Sequence, residues 1–115
     1  MRLINVTGRN LDIYDKDGKE IVTTIPTEGV ATVQVLRTEC GEIGDFALHR
    51  TEYGEIEGLP EPSDGITYIV NFFVLNALKY HNIKRNDCVS PDTAFQSAVR
   101  DEQGHVIGIR GFQII

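Results

Sequence analysis

The most hydrophobic stretch of the chain, residues 66–82, constrains the fold more than any other part of the sequence. Its letters are I-T-Y-I-V-N-F-F-V-L-N-A-L-K-Y-H-N. The first five residues are mostly β-branched or aromatic, which predicts a strand. Asn71 can then cap a helix, and the apolar residues after it recur with helical spacing, which predicts a helix at about residues 72–81. A helix so apolar and only about ten residues long is marginal alone in water, so it must pack against a sheet.

Shorter strand patterns lie on both sides of this stretch. The run D-K-D-G-K at residues 15–19 predicts a tight hairpin, because Asp-Gly supplies the positive φ angle that such turns need. A second hairpin is expected across residues 101–104. Between residues 37 and 65 the alternation weakens, and we expect an extended, irregular excursion with only short strands at residues 46–48 and 53–56. The other strands are expected at residues 3–7, 11–13, 21–25, 30–36, 66–70, 94–100 and 105–112.

These elements predict an α+β fold with a single domain that spans residues 1–115. The expected architecture is a mainly antiparallel, curved sheet or half-barrel that holds one principal helix at about residues 72–81. A β-sandwich with a helix across its end is the alternative. A chain of 115 residues is long enough for one hydrophobic core and too short for two. Free sheet edges in so short a chain are also compatible with a homodimer.

The composition, 41% hydrophobic and 24% charged, is typical of a soluble globular protein. The apolar runs are far shorter than the roughly 20 residues that span a bilayer, and the N-terminus lacks the layout of a signal peptide. We therefore expect a cytoplasmic protein with no membrane partner. Cys40 and Cys88 have no motif spacing and are expected to be free thiols.

The net charge of −6 comes from one segment of the chain. Residues 39–64 contain eight acidic residues and one basic residue, whereas the rest of the chain contains nine acidic and ten basic residues. General nucleic-acid binding is not expected, because it needs a clustered basic surface. The acidic segment is either a solvated surface or a surface that binds the basic groove of a partner protein. The candidate partner-binding residues are Glu52, Glu55 and Glu57.

No group of residues predicts catalysis or a bound metal ion. The histidines at positions 49, 81 and 105 are scattered and have no third ligand at a usual spacing. The cysteines and serines lack the local patterns of nucleophiles, and the acids at positions 52, 55 and 57 lie in a glycine-rich region that offers little burial. We therefore predict no catalytic residue, no metal site and no cofactor, and lean against an enzyme.

A small anionic ligand is the other partner that the sequence indicates. Arginine side chains suit the recognition of phosphate or carboxylate groups. If the C-terminal hairpin packs beside the helix, its arginines could line a pocket with residues that flank the helix. The candidate ligand-binding residues are Tyr68, Arg85, Asp87, Arg100 and Arg110. The alternative is that they form ordinary surface contacts, with Arg85 paired to Asp87 and Arg100 to Asp101 or Glu102.

Several short motifs are spread over almost the whole chain. They are I-N-V-T, then G-L-P-E-P before Y-I-V and the helix, then R-N-D-C-V-S-P-D-T and R-D-E-Q-G-H-V-I-G-I-R-G-F. With these motifs the chain resembles a family of small proteins from bacteriophages, prophages and bacterial accessory regions. It departs from the family at Asn86, where a second aspartate is usual, and in its extra acidic span near residues 39–57. The matched positions are Tyr68, Arg85, Asp87, Pro91, Arg100, Asp101, Gly104, Gly108 and Gly111.

The resemblance implies a genomic setting rather than a reaction, and three hypotheses follow. The first is a non-enzymatic phage accessory protein that binds a host protein in the host cytoplasm, for example as an anti-defence inhibitor. The second is a module that binds or sequesters a nucleotide-like ligand. The third is a small enzyme that acts on nucleotides.

Overall fold

The computed structural model describes residues 2–94 and 96–115, and strands predominate among them around one short helix. The predicted α+β class is therefore confirmed at this level. The strands form three sheets, and none of these closes into a barrel. The elements are β1 (Arg2–Asn5), β2 (Leu11–Tyr14), β3 (Ile21–Ile25), β4 (Thr32–Ile43), β5 (Phe46–Glu57), β6 (Ile66–Ile69), α1 (Phe72–Tyr80), β7 (Cys88–Pro91), β8 (Ala98–Arg100), β9 (Val106–Ile109) and β10 (Phe112–Gln113).

The sheet that carries the helix is mainly parallel, unlike the mainly antiparallel sheet that the sequence predicts. Its strand order is β1-β6-β7-β10, in which β1 pairs parallel with β6, β6 pairs parallel with β7, and only β10 is antiparallel. The chain leaves β6, passes through α1 and returns as β7 in the same direction. Such a crossover gives parallel neighbours, whereas a tight hairpin gives antiparallel ones.

Helix α1 confirms the helix predicted at about residues 72–81. Asn71 caps it, because its side-chain oxygen accepts a hydrogen bond from the Val74 amide at 2.9 Å. The buried face of α1 packs on the first sheet and forms most of the core, together with Tyr68 and Cys88. None of the described residues belongs to a helix with the length and hydropathy that crossing a membrane requires. The buried residues of α1 are Val74, Leu75, Ala77 and Leu78.

The second sheet has the order β3-β2-β9-β8 and contains both predicted hairpins. Gly18, in the turn between β2 and β3, has a φ angle of +70°, as the Asp-Gly signal predicts. Strands β8 and β9 pair antiparallel across the turn at residues 101–104. Strands β2 and β9 pair parallel, which joins the two hairpins into one sheet. Phe95, part of the strand predicted at residues 94–100, lies outside the described residues.

Residues 37–65 are not the irregular excursion that the sequence predicts. Most of them belong to β4 and β5, two strands of 12 residues that pair only with each other among the described residues. We call this pair the ribbon. Gly44, with a φ angle of +59°, and Asp45 connect the strands, in the arrangement of a type II′ turn. The radius of gyration, 16.3 Å, exceeds the roughly 13 Å of a compact domain this long, as expected for a projecting ribbon.

Candidate functional site

Arg85 and Asp87 form a bidentate ion pair in the connector that leads into β7. The Arg85 Nε donates to Asp87 Oδ1 at 2.8 Å, and its Nη2 donates to Asp87 Oδ2 at 2.9 Å. The same Nη2 donates to the Pro60 carbonyl at 2.9 Å. Both side chains are largely buried, with exposed fractions of 12% and 18%. The pair therefore ties the connector after α1 to the segment before β6.

Each member of this ion pair favours the charged form of the other. The hydrogen bond from Arg85 lowers the pKa of Asp87, and that same bond raises the pKa of Arg85, although burial opposes each shift. Burial raises the pKa of the neighbouring Cys88 thiol to about 11. At neutral pH the carboxylate is ionised and the thiol is protonated. None of the three groups is poised for proton transfer near pH 7.

The other predicted ligand-binding residues fall into two groups. The buried Tyr68 donates its hydroxyl to the Glu61 carbonyl at 3.2 Å, so it holds the same segment as Arg85 does. Arg100 instead donates to the Gly104 carbonyl at 2.6 Å, and Arg110 to the Lys16 carbonyl at 3.1 Å. The structure thus brings Tyr68, Arg85 and Asp87 together and places Arg100 and Arg110 at turns of the second sheet.

The ribbon has an inner face that is fixed by contacts with the rest of the protein. Ile56 is partly buried against the core, and the ring of Tyr53 lies 5.4 Å from the ring of Tyr80 in α1. Their partners across the ribbon are Val33 and Val35. The register shifts by one residue between these two pairs, which is a β-bulge at Gly54 and Glu55. The bulge returns Tyr53 and Ile56 to the same face.

The three predicted partner-binding residues consequently lie on the opposite, outer face. Glu52 and Glu57 are each adjacent in sequence to an inner-face residue, and side chains alternate along a strand. Glu55, in the bulge, lies with Glu57 and Gln34 around a depression of about 480 Å³. These carboxylates are held by the ribbon's backbone pairing rather than by buried contacts, and the described residues give them one ion pair, a 4.0 Å contact between Glu52 and Arg50.

Apolar side chains join these carboxylates on the outer face. Ile43 and Phe46 are directly opposed beside the turn, and their exposed fractions are 64% and 77%. Leu48 is two residues from Phe46 on β5 and lies on the same side, and a second bulge, at Cys40 and Gly41 of β4, brings Ile43 to the side of Leu36. Sequence reasoning did not select these residues, although Gly44 and Asp45 between two alternating runs are a hairpin signal that could have indicated them. The exposed apolar residues of the outer face are Leu36, Ile43, Phe46 and Leu48.

The part of the ribbon beyond the core contact, residues 34–51, is exposed at every position, and we call it the distal ribbon. The ribbon together with its turn, residues 32–57, contains six acidic and two basic residues, a net charge of −4. Two-stranded hairpins are marginally stable at best in water. A segment of this kind that keeps large apolar side chains in solvent is typical of a surface that another molecule covers.

The histidines and cysteines remain separate from one another. Nε2 of His81 lies 2.7 Å from the Gly54 carbonyl, and Nδ1 of His105 lies 3.6 Å from an Asp101 oxygen. Cys40 is exposed and Cys88 is buried, and both are free thiols. The described part of the chain contains no group of three or more His, Cys, Asp or Glu side chains that could hold a metal ion.

The residues behind the phage-like resemblance are mostly structural in this fold. Tyr68, Arg85 and Asp87 hold the segment before β6, and Gly108 leaves room for the ring of Tyr14, which a β-carbon would contact. The resemblance itself stays a prediction. In comparisons with known proteins, no protein-family model, no curated protein and no solved structure matches this chain.

Proposed function

We propose that this protein is a small, non-enzymatic accessory protein that binds another protein through the outer face of the ribbon. One observation carries the proposal. The ribbon projects from the core, and its outer face carries exposed apolar side chains on the distal ribbon and the three carboxylates of Glu52, Glu55 and Glu57 nearer the core. The pairing of β4 with β5 fixes these side chains relative to one another, so they form a surface rather than a scatter of loop residues.

The chemistry of this face defines the partner. Ile43 and Phe46 are apolar anchors at the end of the ribbon, and buried aromatic anchors contribute most to typical protein interfaces. Glu52, Glu55 and Glu57 lie nearer the core and would face lysine or arginine side chains. The expected partner therefore has an apolar pocket bordered by a basic surface. Burying the distal ribbon would also stabilise a hairpin that has little support of its own.

The resemblance to phage-associated proteins favours a host protein as the partner, met in the host cytoplasm. An inhibitor of a bacterial defence protein is the more specific form of the proposal. An acidic surface can occupy a groove that otherwise binds nucleic acid, because both present negative charge to it. Ligand binding at Tyr68, Arg85, Asp87, Arg100 and Arg110 stays the alternative prediction, although Asp87 and the Pro60 carbonyl already accept hydrogen bonds from Arg85.

The test is affinity capture from a bacterial lysate, followed by titration of the purified captured protein. The first variant combines Glu52→Lys, Glu55→Lys and Glu57→Lys, and the second combines Ile43→Ser with Phe46→Ser. The matched control combines Asp17→Lys, Glu20→Lys and Glu102→Lys, three exposed acids away from the ribbon that make the same change of charge. Both ribbon variants should lose the partner, while the control should keep it.

Two further measurements, thermal unfolding of the variants and the salt dependence of the affinity, test the proposal. Thermal unfolding of every variant must stay close to that of the parent chain, so that loss of capture reports the surface rather than the fold. The affinity should also fall as salt rises, because exposed charge pairs are screened. A partner that still binds both ribbon variants would contradict the proposal. Sedimentation of the pure protein shows separately whether the chain forms a homodimer.

A further inference from the structure

A cleft of about 570 Å³ lies on the opposite side of the fold from the Arg85–Asp87 pair. Strands β1, β6 and β7 run parallel, so their carboxyl ends meet at one edge of the first sheet, where α1 also begins. The cleft lies between this edge and strands β2 and β9 of the second sheet. Open sheets with parallel strands bind ligands at this edge, and the volume is within the range of small-molecule sites.

The cleft has hydrogen-bond donors that are suited to an anion. Arg9 lines it, and the described residues give its guanidinium group neither a hydrogen bond nor an ion pair. The backbone amides of Phe72 and Phe73, at the start of α1, also have no acceptor among the described residues, since the Asn71 side chain accepts from Val74 and the Asn71 carbonyl accepts from Leu75. An unpaired guanidinium group and free amides at one cavity provide the donors that phosphate or carboxylate oxygens need.

The Arg9 backbone is held by a buried side chain. Asn5 is fully buried at the end of β1, and its Nδ2 donates to the Arg9 carbonyl at 2.7 Å and to the Ile25 carbonyl at 3.0 Å. Its Oδ1 accepts from the Thr7 amide at 2.9 Å. The loop from β1 to β2 is therefore fixed by a satisfied polar network while the side chain of Arg9 remains free. Preorganisation of this kind lowers the cost of binding.

The walls of the cleft are largely apolar. Phe72 and Phe73 are 47% and 55% exposed, and they line the cleft with Val106 and Ile107 of β9, each 44% exposed. Four large apolar side chains left open to solvent at one cavity are suited to the faces of a planar ring. The acid in the lining is Asp12, which accepts from the Thr24 hydroxyl at 2.7 Å and keeps oxygen lone pairs for the hydroxyl groups of a ligand.

We propose that this cleft binds a nucleoside phosphate, with the phosphate towards Arg9 and the start of α1 and the base against Phe72, Phe73 and the β9 side chains. The cleft is separate from the outer face of the ribbon and from the residues that the sequence selects for ligand binding. The proposal is therefore independent of partner binding.

The test is titration calorimetry of the full chain with the four ribonucleoside monophosphates, their nucleosides and inorganic phosphate. At least one monophosphate should bind, and both its nucleoside and phosphate alone should bind more weakly. Arg9→Ala should weaken binding by about tenfold or more, the loss expected for one charge-assisted hydrogen bond. Arg37→Ala is the matched control, because Arg37 is an exposed arginine in the ribbon.

Amide chemical shifts, recorded by NMR during a titration with the same monophosphates, locate the bound ligand. The proposal requires that the largest changes fall on Arg9, Phe72, Phe73 and Gly108. Changes centred on residues 84–87 would overturn it in favour of the Arg85–Asp87 region. It would equally be overturned if no monophosphate bound at concentrations up to about 5 mM, or if Arg9→Ala and the parent chain bound with equal affinity.

Discussion

The rings of Tyr53 and Tyr80 join the ribbon to the helix, with their centroids 5.4 Å apart and their planes at 60°. Tyr80 is also in an edge contact with His81, whose Nε2 lies 2.7 Å from the Gly54 carbonyl in the ribbon. The last turn of α1 and the bulge in β5 are thus connected by an aromatic contact and a hydrogen bond. This junction sets the direction in which the distal ribbon leaves the core.

Replacing Tyr53 with alanine should loosen the ribbon more than it weakens the rest of the fold. The lost ring contact and buried area should lower the free energy of unfolding by about 1–3 kcal/mol. Tyr53→Phe keeps the ring and should behave like the parent chain. Urea denaturation measures the stability, and hydrogen exchange should show faster exchange across β4 and β5 in Tyr53→Ala alone. Unchanged exchange in β4 and β5 would contradict the role of this contact.

The core under α1 should be sensitive to truncation. Leu78 is 1% exposed and belongs to the main hydrophobic cluster. Leu78→Ala should lower the free energy of unfolding by about 2–5 kcal/mol, through lost burial and the cavity that remains. Ile43→Ala, at an exposed position of the ribbon, should change it by less than about 0.5 kcal/mol. Chemical denaturation compares the two, and similar losses would show that the ribbon is part of the core.

The ion pair between Arg85 and Asp87 should make stability depend on pH in the acid range. Arg85 lowers the pKa of Asp87 in the folded protein, so the stabilisation is complete above the unfolded-state pKa of about 3.9 and is lost as the pH falls through the lower folded value. At neutral pH, Asp87→Asn should cost about 1–2 kcal/mol. The difference between variant and parent should shrink below about pH 4.

Thermal or urea unfolding between pH 2 and pH 7 measures this effect. Asp64→Asn is a suitable control, because Asp64 is an exposed acid in the same region. A stability difference for Asp87→Asn that stays constant over this range would mean that the ion pair does not explain the cost of the substitution.

Gly58 should resist replacement by any residue with a side chain. Its φ angle is +82°, and a β-carbon there would collide with the Val30 carbonyl oxygen. Gly104 has a similar φ angle, +85°, but open space around it. Gly104→Ala should therefore cost only the backbone strain, about 1 kcal/mol, and Gly58→Ala should cost clearly more. Equal melting temperatures for the two variants would contradict this steric argument.

The two thiols should differ strongly in reactivity. Cys40 is exposed, whereas Cys88 is buried and burial raises its pKa to about 11. Alkylation of the native protein at pH 8 should modify Cys40 first and leave Cys88 protected until unfolding, because the thiolate is the reactive form. Peptide mass spectrometry identifies the modified residue. Modification of both thiols at equal rates would indicate that β7 opens readily.

Local signals in the sequence were sufficient to predict the helix and the hairpins. Asn71 before an apolar run and Gly18 after Asp17 each determine structure through neighbouring residues, and both occur as predicted. The parallel pairing of β1 with β6 was not predictable in this way, because it joins residues more than 60 positions apart. It depends on burial of a core to which distant parts of the chain contribute, which alternation along one strand does not encode.

The ribbon was mispredicted for a related reason. Both of its strands contain a bulge, one at Gly54 and one at Gly41, and each bulge interrupts the alternation of apolar and polar residues. The candidate site was also only partly predictable, because its residues are distant from one another in the sequence. Tyr68, Arg85 and Asp87 do come together, but Arg100 and Arg110 belong to another sheet, and no local pattern connected Arg9 with Phe73 across the cleft.

The two outer edges of the ribbon carry backbone amide and carbonyl groups with no strand beside them in the described chain. Each edge can template another strand, and a ribbon with two such edges can stack without ever closing. Repulsion between copies, each with a net ribbon charge of −4, opposes this stacking at neutral pH. We therefore expect the acidic residues to oppose polymerisation through these edges, and we expect acid or concentrated salt to weaken that effect by neutralising or screening them.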